Sequence, residues 1–248
     1  MKTIVLLVIS YFFVINITYA QQDVIQFNSD RWDKKAAKEA EFLGRKCLMG
    51  IASLKEAEFT NGVIEFDLAV NGERSYPGIT FRAKDQDNYE RIYIRPHLSK
   101  VFQNVVQYEG TFNGLDSWQL YYGPGKTTSA TFPANEWFHV KIEVKDTQAK
   151  FYIVDMEKPV LTITELAHGI SKGTLGVWGL MDGTAYFSNF SYRIDNNLQF
   201  ANPPLVDDPF GIISNWEISQ AQQLCYVDME SYPNTEEMKK LQWQKAQA

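Results

Sequence analysis

The chain has 248 residues and a formal net charge of −6, with 45% hydrophobic and 14% aromatic residues. That length suits one large all-β domain or two small ones, and the pattern below favours one. An acidic balance with no polybasic run argues against nucleic acid or an anionic membrane surface as partner.

Residues 1–20 carry Lys2, an apolar run from Ile4 to Ile17 and a small residue, Ala20, at the end, which predicts a secretory signal peptide. Its removal takes the charge to −7, since Lys2 is the one charged residue in it. The run is shorter than the ~20 apolar residues of a membrane span, and no later segment approaches that length. No cysteine stands at the cleavage point, so no lipoprotein anchor is expected. The mature protein is expected to be secreted or periplasmic, without membrane attachment.

Asp33 to Ala40 is ambiguous, because its Lys/Ala/Glu composition favours helix although tertiary pairing can draw such a segment into an edge strand. Strand signals then follow at 39–43, 46–51, 62–70, 78–84, 89–95, 105–108, 117–122, 136–145, 149–155, 160–164, 173–178 and 184–194. Turn chemistry separates them, as at Asn61-Gly62, Pro77-Gly78, Asp85-Gln-Asp-Asn88, Gly123-Pro-Gly125 and Asp182-Gly183. Short strands without intervening helices predict an all-β, antiparallel two-sheet jelly-roll sandwich over residues 21–198. Residues 199–248 open on Asn202-Pro-Pro-Leu-Val-Asp-Asp-Pro209 and read as a strap, a strand near Ile212–Ile218 and a helix capped by Thr235. They are too sparse in core residues to form an independent domain.

Period-two alternation in 62–70, 78–82 and 89–97 puts Ile64, Phe66, Leu68, Ile79, Phe81, Ile92 and Ile94 on one face. The opposite face collects Glu65, Asp67, Arg82, Tyr93 and Arg95. Carboxylates, guanidiniums and an aromatic together are how sugar-binding surfaces are commonly built. His97 and Trp178 join the candidate site. Trp178 does so because Leu175 and Val177 take the opposite parity and leave it on the polar side. Trp137 shares parity with His139, Lys141 and Glu143 and is expected at the rim or surface.

Three phrases resemble the concanavalin A-like lectin/glucanase superfamily in its laminin-G-like range. They are Glu58-Phe-Thr-Asn-Gly-Val-Ile-Glu-Phe-Asp67, the strand Gly78-Ile-Thr-Phe-Arg82, and Glu136-Trp-Phe-His-Val-Lys-Ile-Glu-Val144 followed by Gly173–Gly179 and Ala185–Phe190. The resemblance implies a curved sheet whose concave face holds a glycan. Secreted sugar hydrolases of the keto-disaccharide type carry related domains. Glu65-Phe-Asp67 resembles the start of a laminarinase-like catalytic strand, but Ala69 and Val70 stand where that strand places its second Glu.

Retaining hydrolysis needs two carboxyl groups about 5–5.5 Å apart. Glu65 and Asp67, two residues apart on a strand, lie roughly 6.6 Å apart at Cα, so distance alone admits them as catalytic candidates. Pairing with Arg82 and Arg95 on neighbouring strands is the reading preferred over catalysis. The leading expectation is therefore a non-catalytic carbohydrate-binding domain. The alternatives are a glycoside hydrolase using Glu65 or Asp67 with a loop carboxylate, and a protein-binding adhesion module.

No cofactor is expected. Histidines 97, 139 and 168 lack zinc-ligand spacing, and two distant cysteines make no zinc site. Asp85 and Asp87 offer hard oxygens to calcium, which laminin-G-like domains sometimes carry, but Tyr89 and Glu90 break EF-hand spacing and a hairpin turn explains the run equally. Cys47 and Cys225 either pair in the oxidising compartment or stay as buried apolar residues.

Overall fold

The protein is described by a computed structural model over residues 24–116 and 118–200. The signal peptide, the strap and helix expected beyond residue 200, and Cys225 lie outside the described residues. Twelve strands follow in order: β1 Trp32–Phe42, β2 Arg45–Leu54, β3 Gly62–Val70, β4 Gly78–Ala83, β5 Tyr89–Ile94, β6 Val106–Thr111, β7 Thr127–Thr128, β8 Trp137–Lys145, β9 Gln148–Ile153, β10 Leu161–Ile163, β11 Thr174–Trp178 and β12 Ala185–Ile194. Two short 3-10 turns, Pro96–Leu98 and Trp118–Leu120, sit beside β5 and β6.

The strands form one antiparallel sheet ordered β10-β9-β8-β3-β12-β2-β11-β4-β5-β6-β7, with β1 added on β2. It curves almost into a barrel, and its two halves face each other as the layers of a sandwich. Gly50 makes the corner between them. Near it β2 meets β12 at Leu48 and β11 at Ala52 and Ser53. A Cβ at Gly50 would lie 2.3 Å from the Ala36 carbonyl oxygen, and its φ of +97° belongs to glycine. The interior joins Ile64, Phe66 and Leu68 of β3 to Ile79 and Phe81 of β4 and Ile92 and Ile94 of β5, as their alternation predicts.

One ambiguity is settled and one element differs from expectation. Asp33–Ala40 is strand, not helix, because it pairs with β2 along its length, with one bulge between Asp33 and Ala36. Its lysines, glutamates and exposed alternate positions suit an edge strand. Of the strand expected at 117–122, the described residues 118–122 are not a strand but carry the Trp118–Leu120 turn. The open side of β6 pairs instead with Thr127 and Thr128, and the Gln107 side-chain amide donates to the carbonyls of Trp118 (2.5 Å) and Tyr121 (2.7 Å), holding that turn against the sheet.

Candidate functional site

On β5, Glu90, Ile92 and Ile94 point inward, so Arg91, Tyr93 and then Arg95 point outward. Gln107 and Glu109 of β6 and Trp178 of β11 share that outer face. Gly78 lies opposite both Tyr93 and Trp178 in the strand register. A Cβ there would sit 2.2 Å from the Ile92 carbonyl oxygen, so glycine is what lets β4 and β5 close beneath the two rings. Beyond β5, Pro96 opens a 3-10 turn that carries His97 and Leu98, and the Trp118 turn forms the opposite wall. The result is a cleft of about 520 Å³.

Its floor is an ion pair, Arg91 Nη1 to Glu109 Oε1 at 3.1 Å, with exposures of 4% and 1%. Arg91 also donates to the Tyr76 carbonyl at 3.2 Å. Each partner keeps one buried atom without a hydrogen bond, Arg91 Nε and Glu109 Oε2. Buried polar atoms are satisfied as a rule, so two orphans beneath one cleft make its floor a polar layer short of partners, sealed under the lining side chains. Burial, outweighing the attraction of Arg91, raises the Glu109 carboxyl above its usual range. The Arg91 guanidinium lies 3.8 Å from the Trp178 ring centroid and 4.4 Å from that of Tyr93. Arg95 lies 4.9 Å from Tyr93 and 5.7 Å from Trp118. Arg95 donates to the Asn104 carbonyl at 2.6 Å, to the Tyr93 hydroxyl at 2.9 Å and to the Gln107 side-chain carbonyl. The concave site is thus lined by rings layered with guanidiniums, in which Tyr93 is buried beside Arg91 and Arg95 and Trp118 is the exposed ring.

Of the residues singled out in the sequence, the structure brings Tyr93, Arg95, His97 and Trp178 together in this cleft. It puts Glu65 and Asp67 elsewhere, on the outer face of β3, whose neighbours are β8 and β12 rather than β4 or β5. The expected pairing of these carboxylates with Arg82 and Arg95 is therefore corrected. His139 bridges them, 2.7 Å from Asp67 and 3.3 Å from Glu65, while Arg45 and Asn189 hold the other Asp67 oxygen at 2.7 and 2.6 Å. Both His139 nitrogens face carboxylates, which calls for the doubly protonated ring, and its pKa rises to about 9 through the hydrogen bonds to Asp67 and Glu65. The His139 hydrogen bond lowers Glu65; burial opposes the same shift at Asp67, but the bonds from His139 and Asn189 prevail. Both carboxylates are shifted toward the ionised form, so neither is poised as the raised-pKa carboxylic acid of a glycosidase.

Arg82 belongs to neither surface. Its φ of +50° breaks the alternation, and the 1%-exposed side chain turns inside to the carbonyls of Thr60 (2.9 Å) and Gly169 (2.8 Å) and the side-chain oxygen of Asn61 (3.2 Å). Asp85 accepts from the backbone N–H of Asp87 and the side chain of Asn88, the work of a tight turn. Sequence reasoning missed Arg74, Tyr76, Arg91, Glu109, Asp116 and Trp118. Arg91 shares the parity of Tyr93 and Arg95, so the alternation itself contained it. Glu109 lay just past the strand expected at 105–108, which the structure extends to Thr111.

No protein-family model matches the chain. Among solved structures it resembles the carbohydrate-binding module CBM66 from Bacillus subtilis, at 20% identity, covering 67% of this chain and 97% of that one with a TM-score of 0.50. What this likeness shows is the fold, an all-β antiparallel jelly-roll sandwich. A Bacillus subtilis protein with a galectin-like fold is similar over 65% of this chain and 88% of its own, at 11% identity and a TM-score of 0.48. Galectin LEC-6 of Caenorhabditis elegans matches over 54% and 84%, at 11% identity and a TM-score of 0.38. Within this jelly roll the Arg91–Trp178 cleft lies on the outer side of the β11-β4-β5-β6 layer, and the Glu65–Asp67–His139 cluster on that of the β8-β3-β12 layer.

Proposed function

We propose that the protein is an exported, non-catalytic carbohydrate-recognition module whose glycan lies in the cleft lined by Arg91, Tyr93, Arg95, Trp118 and Trp178. The observation that carries this reading is the cleft itself, where the exposed ring of Trp118 and the half-buried ring of Trp178 adjoin the guanidiniums of Arg74, Arg91 and Arg95. A sugar ring presents an apolar CH face and a rim of hydroxyls, and both find partners there. The likeness to a carbohydrate-binding module supports the same reading, as the signal-peptide pattern of residues 1–20 supports export. A concave cleft also suits a small ligand better than the broad contact an adhesion module needs.

The test is a glycan array, followed by calorimetry on the bound glycan with Trp118→Ala and Trp178→Ala. Each substitution should weaken binding about tenfold or more, the range of an interface aromatic. Unchanged affinity in both variants contradicts the assignment. One observation favours a second reading, a glycoside hydrolase. Glu109 is a buried carboxyl, raised by burial, in the same cleft as Asp116. Sugar release that Glu109→Gln abolishes would support it, and binding without release would count against it.

A further inference from the structure

Arg95 is 5% exposed, yet every group that its guanidinium meets is neutral: the Asn104 carbonyl, the Tyr93 hydroxyl and the Gln107 side-chain carbonyl. Among the described residues no carboxylate lies within ion-pair distance of it. A buried charge is costly unless it is paired, and a chain with more acidic than basic residues had carboxylates to spare for the purpose. Arg74 stands at the same cleft, exposed, with its Nε donating to the Tyr76 hydroxyl at 2.9 Å and, among the described residues, no ion pair. Arg91, buried on the floor, is the third guanidinium. Against these three guanidiniums the cleft sets two carboxylates. Glu109 is paired with Arg91 at 3.1 Å and feels Arg95 only from beyond ion-pair distance, and Asp116 accepts from the Thr111 hydroxyl at 3.4 Å. The local field is felt at His97, whose pKa is lowered by burial and then by Arg74 and Arg95.

We infer that the cleft selects an acidic sugar, whose carboxylate or sulfate ester docks at Arg95 and Arg74 while its ring lies against Trp118 and Trp178. The inference rests on the reading of this cleft as a glycan site and names the class of glycan. A planar guanidinium is suited to both anionic groups, since its donors match their paired oxygens. The anion would supply the direct ion pair that the Arg95 guanidinium lacks among the described residues.

The experiment measures binding of the full chain to four probes: a short oligogalacturonate, its carboxyl-reduced counterpart, a sulfated galactan oligosaccharide and its desulfated counterpart. The expected result is a preference of about tenfold or more for one acidic probe over its neutral partner, diminishing as salt is raised. The acid probe that wins tells carboxylate from sulfate. Arg74→Gln, at an exposed position, should weaken the acidic probe several-fold more than its neutral counterpart. Arg95→Met, confirmed as folded by circular dichroism, should abolish it. Equal binding of acidic and neutral partners overturns the inference and leaves the glycan reading standing, as does a preference that survives both substitutions. Failure of all four probes, together with a glycan array blank for neutral and acidic sugars alike, sinks both.

Discussion

His139 sits between two carboxylates on the outer face of β3 and β8, and its charge state should be readable in the stability of the protein. Its pKa rises from 6.5 to about 9 on folding, so the stability it contributes is fully present below pH 6.5 and is lost as pH climbs through about 9. Glu65 and Asp67 are lowered, so their share is present above their ordinary values of 4.5 and 3.8 and is lost as pH falls through the depressed ones. His139→Ala should therefore lower the melting temperature most near pH 6, by about 2–4 °C given partial exposure of the cluster, with the difference closing near pH 10. A difference that grows with pH would contradict the charged ring. In the cleft, Arg91→Ala leaves the Glu109 carboxylate buried and unpaired, and the expected cost is about 3–5 kcal/mol. Replacing both by apolar residues of similar volume should recover most of that in urea titrations, because the paired charges contribute little beyond compensating each other.

At the level of strands, the cleft depends on the close approach of β4 to β5 at Gly78. Gly78→Ala puts a methyl 2.2 Å from the Ile92 carbonyl oxygen and 2.7 Å from the Tyr93 Cα and Cβ, all parts of the partner strand that move only with its backbone. A loss of about 1–3 kcal/mol is expected together with weakened glycan binding, since Tyr93 is displaced with the strand. Melting and calorimetry on the same variant check both halves. Alternation made these strands legible: parity separated Ile92 and Ile94 from Tyr93 and Arg95, and put Trp178 on the polar side. It could not reveal strand order. Glu65 and Asp67 share with Tyr93 the outward sense of a half-buried strand, but three strands besides β4 separate β3 from β5, and a two-residue period carries no record of them. Arg82 escaped for a local reason, since a positive φ turns a side chain away from the face its parity predicts. The helical composition of Asp33–Ala40 yielded to a ladder with β2, as propensity does when a tertiary partner is at hand.

Across the molecule, the two polar surfaces lie on the outer sides of opposed layers, with the apolar interior between them. The signature that drew attention to one binding face is in fact two structures: a saturated charge cluster around His139 and an unsaturated cleft around Arg91. They share no residue, so substitutions in them should act independently. His139→Ala should leave glycan affinity unchanged, and Trp178→Ala should leave the pH dependence of stability unchanged. The measurement that tests the account most directly is hydrogen exchange of the full chain with and without the glycan found on the array. Slowed exchange over Tyr89–Ile94, Val106–Thr111 and Thr174–Trp178, with Gly62–Val70 and Trp137–Lys145 unaffected, is the result predicted. Protection confined to Gly62–Val70 and Trp137–Lys145 would place the ligand on the His139 face and contradict it.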